Sequence, residues 1–459
     1  MKPVASLTTG SVYRTLFTFT LPILAGNVLQ SINGSINSIW IGKFLGAAAL
    51  TGANNANIVM FLLLGAVFGI TLASTILIAQ AYGAQKLDEA KRVVGTSASF
   101  FFVLSILVSL GGFFMSPLIL VWMGTPGDAL DLGIAYLKVM FLAIPSSYAF
   151  FFVNGALRGA GDSKTPFKFL LLSVVLDIAL NPVFIFGWGP IPELGIAGSG
   201  LATLVSQSIA FAALMRHIYR SRNPLAIHRD ERHLLKMDVG IVRSIVLKGI
   251  PMGLQMIVLA LSLVLFLRVV NRFGSDTAAA FAADMQLWNY VQMPALALGA
   301  AVSSMAAQNI GAGLWDRVKA TARAGIAFNF LMTGIPVLLI YWMERQMVGI
   351  FLPAGSPSID IAIGINHIVL WSFPLFGITM VLSGVVRAAG AVMAPLIMLI
   401  IALLLVRAPL AEYGIVHWGA EGVWWSFTVS AMVAALLSIA YYSAGTWRSA
   451  RMRVDATAG

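Results

Sequence analysis

The segment AQAYGAQKLDEAK at 79–91 returns later in the chain as AQNIGAGLWDRVK at 307–319, with its identities at a constant offset of 228 residues. A second segment, NGALRGAGDSKTP at 154–166, returns as SGVVRAAGAVMAP at 383–395, at an offset of 229. Two prolines of the first half, Pro22 and Pro145, recur at this second offset as Pro251 and Pro374. Self-similarity at a nearly fixed spacing indicates that the chain consists of two copies of one structural unit.

The composition excludes a large soluble enzyme. Of the 459 residues, 59% are hydrophobic and 10% are charged, whereas soluble domains carry about 25% charged residues. A span of the bilayer needs about 20 mostly apolar residues. By this criterion the sequence predicts twelve spans, at 16–42, 48–80, 95–122, 132–155, 167–187, 197–218, 244–270, 277–308, 322–343, 361–386, 392–413 and 419–444.

Six predicted spans fall in each repeat. An even number returns the chain to the same side of the membrane, so the halves are parallel repeats related by an axis along the membrane normal. We therefore predict an all-α integral membrane protein with two pseudo-symmetric six-helix bundles. The predicted domains are an N-terminal bundle at 1–218, a cytoplasmic linker at 219–243 and a C-terminal bundle at 244–459.

The chain has a net charge of +11, and its basic residues are unevenly distributed between the two sides of the predicted membrane topology. With the N-terminus inside, 23 of the 29 Lys and Arg residues, from Lys2 to Arg453, lie in inner segments. This is the positive-inside distribution, and it predicts that both termini are cytoplasmic. Nucleic-acid binding requires a basic face with groups that read or stack on bases, and no such face is evident. We expect no nucleic-acid partner.

The sequence gives no indication of catalysis. It has no cysteine, which excludes disulfides and cysteine-ligated metals. The five histidines form no HExxH pattern, and no GxxxxGK[ST] motif is present, so neither a zinc enzyme nor an ATP-driven pump is predicted. We expect neither enzyme activity nor a cofactor.

Uncharged polar residues cluster in LQSINGSINSIWIG at 29–42. At 100° per residue, Asn27, Gln30, Asn33 and Asn37 fall on one helix face about 120° wide. Single amides in spans commonly join helices to each other. Four amides on one stripe favour instead the wall of a polar cavity in the N-terminal bundle.

Only two of the 18 acidic residues lie deep in predicted spans, Asp177 and Asp284. A carboxylate at mid-membrane is costly, so it indicates function unless it is a neutral or amide-bonded structural group. Asp177 and Asn181 are one turn apart and precede Pro182. Asp284, Trp288 and Gln292 form a second face at i, i+4 and i+8.

The repeated loop residues also have a structural interpretation. Gly83 and Gly311 are predicted to end helices, and Asp88 and Asp316 to cap or begin the next ones. The paired Arg158 and Arg387 fall at inner helix ends, where cations favour the helix C-terminus and lipid headgroups.

Six segments, in order along nearly the whole chain, resemble the multidrug and toxic compound extrusion (MATE) transporters. Their local sequence is more similar to the DinF-like branch than to the NorM-like branch. They are NSIWIGKFLGAAAL at 37–50, IAQAYGA at 78–84, LRGAGDSKTPFK at 157–168, LNPVFIFGWGPIPELGIAGSGLAT at 180–203, MAAQNIGAG at 305–313 and VVRAAGAVMAP at 385–395. The resemblance implies a V-shaped pair of bundles in the bacterial cytoplasmic membrane. It also implies alternating access and the export of cationic or amphipathic compounds in exchange for H⁺ or Na⁺.

The chain departs from the family at the coupling position of the first span, where Asn37 replaces an Asp. An amide cannot carry a proton. The fifth span of the family reads Asn, three residues, then Asp or Asn before Pro, whereas here Asp177 precedes Asn181. The carboxylate has therefore moved within the same predicted cluster. The acid that NorM-like proteins carry in the seventh span is absent, with Leu259 and Gln255 nearest, and Asp284 is predicted to stand in for it.

The predicted site combines the resemblance with the residue patterns. The cation-coupling residues are Asp177, Asn181, Asn37, Ser199 and Asp284, of which Asp177, Asn37 and Asn181 are also candidate Na⁺ ligands. The predicted substrate-binding residues are Gln30, Asn33, Asn154, Met60, Gln255, Trp288 and Gln292.

Several alternatives stay open at this point. H⁺ and Na⁺ fit the polar residues almost equally well. A lipid or lipid-linked saccharide flippase of the same superfamily would need a cationic groove, in which Lys138, Arg268 and Arg407 would converge. A channel or a scaffold is disfavoured by the repeats and the two intramembrane acids. The expected partners are small organic cations and membrane lipids, and we expect a monomer.

Overall fold

The structure, a computed structural model, describes residues 7–353 and 355–452. The helices of more than ten residues are α1 (Val12–Phe44), α2 (Gly46–Gly83), α3 (Leu87–Trp122), α4 (Gly127–Gly159), α5 (Lys164–Phe186), α6 (Gly195–Arg220), α7 (Val239–Phe273), α8 (Ser275–Gly311), α9 (Trp315–Trp342), α10 (Ser358–Val369), α11 (Ser372–Ala389), α12 (Met393–Trp418) and α13 (Ala420–Ala444). All except α10 are long and apolar enough to cross a membrane, which confirms the predicted number of spans and the all-α class.

The tenth predicted span, 361–386, is wrong as one continuous helix. The structure divides it into α10 and α11, with the break at Leu370 and Trp371. Pro374 lies in the first turn of α11. Proline lacks an N–H and disfavours the helical conformation of the residue before it, so it is best placed at a helix start. Its repeat counterpart, Pro145, lies inside the uninterrupted α4.

The chain forms two compact units. The first unit contains Ala25–Gly249, and the second contains Leu7–Leu24 together with Ile250–Met452. The start of α1 therefore belongs to the second unit. In that unit Arg317 donates to the Gly10 carbonyl. Lys2 and Arg453, two of the basic residues assigned to the inner side, lie outside the described residues.

The repeat motif forms the same helix junction in both units. Gly83 ends α2 and Gly311 ends α8, as predicted. Asp88 and Asp316 lie in the first turns of the helices that follow, without capping them through their side chains. An acid in the first turn is stabilised by the helix dipole, so each motif closes one helix and starts the next.

Glycines bring paired helices into close contact at equivalent places. In the first unit, a Cβ on Gly155 of α4 would lie 2.7 Å from Thr75 Oγ1 of α2. In the second unit, a Cβ on Gly384 of α11 would lie 2.7 Å from the Gly299 carbonyl oxygen of α8. Small residues allow close helix packing in membranes. The recurrence of Gly155 as Gly384 therefore preserves a packing contact.

A third close contact in the first unit yields a stability prediction. A Cβ on Gly52 of α2 would lie 2.8 Å from both the Ala129 carbonyl oxygen and the Gly133 nitrogen of α4. We expect Gly52→Ala to destabilise the protein by about 1–3 kcal/mol, because neither backbone can move away without disturbing its helix. The measurement is the thermal midpoint of the purified protein in detergent.

Gly111→Ala provides the matched control for this substitution. A Cβ on Gly111 of α3 would meet nothing within 4 Å. Alanine is also the better helix former, by about 1 kcal/mol. We expect the control to keep or raise the thermal midpoint, and equal midpoints for the two variants would contradict the proposed close contact.

Candidate functional site

The first unit holds Asp177 in a network of amides. Asp177 of α5 is buried, with 2% of its surface exposed. Its Oδ2 accepts hydrogen bonds from Nδ2 of Asn33 and from Nδ2 of Asn37, both at 2.9 Å. Its Oδ1 accepts a third bond from the Thr203 hydroxyl of α6 at 3.1 Å. Three donors stabilise a buried carboxylate, because each one replaces a bond to water.

Helix periodicity explains why these side chains meet. Asn33 and Asn37 are one turn apart on α1, and Asp177 and Asn181 are one turn apart on α5. Asn181 donates to Asn37 Oδ1 at 3.0 Å, which gives the two helices a second contact one turn along. The structure therefore brings together four predicted site residues from two spans that are far apart in sequence.

This network also contains buried oxygens that have no donor. Asn33 Oδ1, Asn181 Oδ1 and Ser199 Oγ make no hydrogen bond in the described part of the chain. Ser199 lies one turn before Thr203 on α6 and accepts through its carbonyl oxygen from that hydroxyl at 3.4 Å. Buried polar atoms normally have partners. These oxygens give the Asp177 network unused capacity for a proton donor, a water molecule or a hard cation.

The other substrate-binding residues predicted in this unit lie outside the network. Asn154 is buried on α4, where its Nδ2 donates to the Phe150 carbonyl and its Oδ1 has no partner among the described residues. Met60 is buried on α2. Gln30 is exposed on α1. The structure shows no direct bond from any of these three to Asp177.

The second unit buries its own carboxylate. Asp284 of α8 has no exposed surface, and its Oδ1 accepts from Asn366 Nδ2 of α10 at 2.6 Å. Asn366 is oriented in turn by the Trp288 indole N–H, which donates to Asn366 Oδ1 at 2.8 Å. Asp284 Oδ2 has no partner in the described residues. Asp284 and Trp288 are therefore linked through Asn366, which lies on α10.

Two other predicted residues of this unit have their polar groups engaged by protein. Gln255 of α7 accepts from Arg387 Nη1 at 3.0 Å and donates to the Pro251 carbonyl at 3.4 Å. Arg387 is 9% exposed, so its predicted place among lipid headgroups is wrong; Gln255 solvates the guanidinium inside the bundle instead. The side-chain amide of Gln292 donates to Asn289 Oδ1 at 3.0 Å.

The sequence prediction missed Thr203 and Asn366. A signal existed for both. Thr203 lies one turn after Ser199, inside the quoted segment at 180–203, and Asn366 is an amide within the predicted span 361–386. Neither residue is an acid, and neither belongs to a stripe of polar residues on one helix face. The two patterns that indicated the other site residues are therefore missing at these positions.

Two of the three basic residues named for a flippase groove lie together in the second unit, and the third lies in the first. Arg268 and Arg407 line a cavity of about 120 Å³ in the second unit, together with Arg272 and Glu412. Glu412 accepts from Arg272 at 2.9 Å, and Arg407 donates to Ser430. Lys138 belongs to the first unit, where it lies over the Phe113 ring. The cavity is too small for a lipid headgroup with its chains.

The MatE family model matches the chain twice, over residues 22–183 and 251–412. Both ends of the two matches are offset by 229 residues, which is the offset of the internal repeat. The chain is 37% identical to "Probable multidrug resistance protein YoeA" of Bacillus subtilis (strain 168), over 94% of each chain. It is 30% identical to "Probable multidrug resistance protein YpnP" of the same organism, over 97% of this chain and 98% of the relative.

Solved structures share the fold at lower identity. A structure described as "Crystal structure of MATE in the bent conformation" matches with a TM-score of 0.88 at 21% identity, over 97% of each chain. A transporter of the MOP superfamily from Pyrococcus furiosus matches with a TM-score of 0.87 at 21% identity, over 97% of this chain and 98% of that one. Because the family model covers both repeats and two relatives align over nearly their full length, the chain is a multi-pass membrane protein that belongs to the multidrug and toxic compound extrusion (MATE) family.

Proposed function

We propose that this protein is a secondary antiporter that exports cationic or amphipathic organic compounds in exchange for H⁺. The observation that carries the proposal is the buried Asp177 carboxylate, held by three side-chain donors from α1 and α6. The names of the relatives, which describe multidrug resistance, support the substrate class. The positive-inside charge distribution supports cytoplasmic termini in the bacterial cytoplasmic membrane.

The proposed coupling role rests on the two states of the carboxyl group. When Asp177 is ionised, the two asparagines and the threonine can all donate to it. When it is protonated, it offers one donor and fewer acceptors, and the unpaired oxygens of Asn33 and Asn181 become suitable partners for that proton. Protonation would therefore reorganise contacts between α1 and α5. A change that stabilises one of two conformations is what ion coupling requires.

Na⁺ is the second candidate for the coupling ion, and the same unpaired oxygens favour it. Hard cations bind oxygen ligands, and a carboxylate with amide and hydroxyl oxygens is such a set. Asp177, Asn181 and Ser199 supply these groups within the first unit. Thus one cluster supports two ions of different chemistry, which gradient-driven transport distinguishes.

The test is ethidium uptake into inverted vesicles that contain the purified protein. A pH gradient or a Na⁺ gradient is imposed separately, with vesicles lacking the protein as the baseline. We expect uptake above the baseline under the pH gradient alone. Uptake only under the Na⁺ gradient would replace H⁺ by Na⁺, and uptake under neither would contradict the antiporter proposal for this substrate class.

A further inference from the structure

A cavity of about 790 Å³ lies in the first unit, away from the Asp177 network. Its walls are α3, α4, α6 and the linker after α6, and no residue of α1 or α5 contributes to it. Ligand sites in proteins typically have volumes of about 300–1,000 Å³. The cavity is large enough for a ligand, yet the proposed coupling site does not account for it.

Most of the lining is apolar or aromatic. The deep wall includes Phe101 of α3, Phe152 of α4 and Phe211 of α6. Phe102 also lines the cavity, although it is 66% exposed, so the cavity opens there to the outer surface of the unit. α3 is a long apolar helix of membrane-spanning length, and an exposed apolar side chain such as Phe102 is suited to contact lipid tails. An apolar chain could therefore enter from the side.

The depth of the cavity matches one leaflet of a bilayer. Its lining on α3 runs from Val94 to Ser105, which at 1.5 Å per residue is about 16 Å. Half of a hydrocarbon core that is about 30 Å thick is about 15 Å. The cavity thus extends from the linker end of α3 to about mid-membrane.

The mouth at the linker is cationic. Arg229 and Arg232 line the cavity together with His228, whose ring lies 3.6 Å from the Glu231 carboxylate, and the lining itself contains no Asp or Glu. Neither arginine forms an ion pair or a side-chain hydrogen bond within residues 7–353 and 355–452. This end therefore complements an anion, whereas the cationic compounds expected as transport substrates would be repelled.

The linker that carries these arginines is fastened to α3. Glu231 accepts from Lys91 at 2.5 Å, and Asp238 pairs with Arg92. The hydrogen bond from Lys91 lowers the pKa of Glu231 below its ordinary value, and the other oxygen of this carboxylate, Oε2, accepts from the His228 backbone N–H at 3.0 Å. The Ser99 hydroxyl donates to the Leu235 carbonyl at 2.6 Å. The linker is thus a fixed wall of the cavity, and Glu231 is shared between Lys91 and His228.

From these features we infer that the cavity binds an anionic membrane phospholipid. One acyl chain lies among Phe101, Phe152 and Phe211, and the phosphate contacts Arg229 and Arg232. A zwitterionic lipid with the same chains fills the apolar part but places its own cation beside the arginines, so it binds more weakly. This inference concerns a site separate from ion coupling and does not depend on the proposed transport function.

The probe is phosphatidylglycerol with a photoactivatable diazirine in one acyl chain, added to the full-length protein in neutral detergent. We expect the label to concentrate on the cavity segments of α3, α4 and α6. Removing both charges in Arg229→Gln/Arg232→Gln is expected to reduce this labelling about thirtyfold, since each basic residue near an anionic lipid contributes about 1 kcal/mol and about 1.4 kcal/mol is a factor of ten. Phosphatidylcholine with the same diazirine chain is expected to label the cavity weakly.

Two further variants make the test specific. Arg220→Gln/Arg222→Gln removes two charges at the junction of α6 and the linker that do not line the cavity, and we expect it to leave labelling unchanged. Ala98→Phe fills the apolar part while it keeps both arginines, and we expect it to suppress labelling at an unchanged thermal midpoint. Equal loss in both arginine pairs, equal labelling by phosphatidylcholine, unchanged labelling in Ala98→Phe, or displacement of the lipid by inorganic phosphate would each overturn the inference.

Discussion

Asp177→Asn is expected to abolish gradient-driven uptake and to leave the protein folded. The substituted side chain has the same shape and can still accept a hydrogen bond from α1 or α6. It cannot gain and lose a proton, and it carries no charge for a cation. The measurement is ethidium uptake under whichever gradient drives the wild type, with uptake falling to that of vesicles without protein.

The control for this substitution is Asp131→Asn. Asp131 is an exposed acid near the start of α4, in the same unit. We expect this variant to transport at the wild-type rate. The thermal midpoint of Asp177→Asn shows whether the fold is retained. Full gradient-driven uptake by folded Asp177→Asn would remove this residue from the coupling mechanism.

Asp284→Asn is expected to slow uptake about tenfold, which is within the range of coupling free energies between two protein sites. Asp284 is fully buried and receives one donor, from Asn366, while its Oδ2 has none. An ionised carboxylate with a single donor is costly inside a membrane protein. We therefore propose that its protonation is coupled to the conformation of α8 and α10, as a second contribution beside that of Asp177. Initial uptake rates at equal protein content measure the effect.

Asp276→Asn makes the same chemical change on the same helix. Asp276 is exposed in the first turn of α8, where it accepts from Ser358 at 3.4 Å. We expect uptake by this variant to equal that of the wild type. If Asp284→Asn and Asp276→Asn transport equally well, Asp284 has only a structural role, shared with Asn366 and Trp288.

The sequence alone was sufficient to predict the number of spans and the two-fold repeat. Lipid requires long apolar helices, and this requirement leaves a strong hydropathy signal. The sequence also indicated that the amides of α1 and the acid of α5 belong to one polar cluster. The motif around Asn37 and the pair formed by Asp177 and Asn181 each place polar groups one turn apart, and buried polar groups need partners.

What the sequence could not predict depends on tertiary contacts. The break before Pro374 could not be distinguished from the continuous helix at Pro145, because proline is compatible with both. Arg387 looked like a surface residue at a helix end, and only its contact with Gln255 explains how a cation is accommodated inside the unit. The hydrogen bond by which Trp288 orients Asn366 likewise joins two residues that are 78 positions apart in the chain.

The repeat itself does not explain the coupling residues. At the offset of 229 residues, the position equivalent to Asp177 is Val406 in α12. The two halves therefore share packing glycines and helix junctions but differ in where they carry an acid. A duplicated framework with different polar groups in each unit is consistent with one principal coupling site in the first unit.

The central claim is that one carboxylate between α1 and α5 couples the ion to transport. The most direct measurement is gradient-driven ethidium uptake by the exchange variant Asn37→Asp/Asp177→Asn, compared with Asp177→Asn alone. The exchange keeps one carboxylate and one amide across the 2.9 Å contact between these positions, and Asn181 can donate to the relocated carboxylate. We predict that uptake, lost in Asp177→Asn, returns in the exchange variant. If the folded exchange variant stays at the baseline, or if Asp177→Asn alone transports normally, this account of coupling is contradicted.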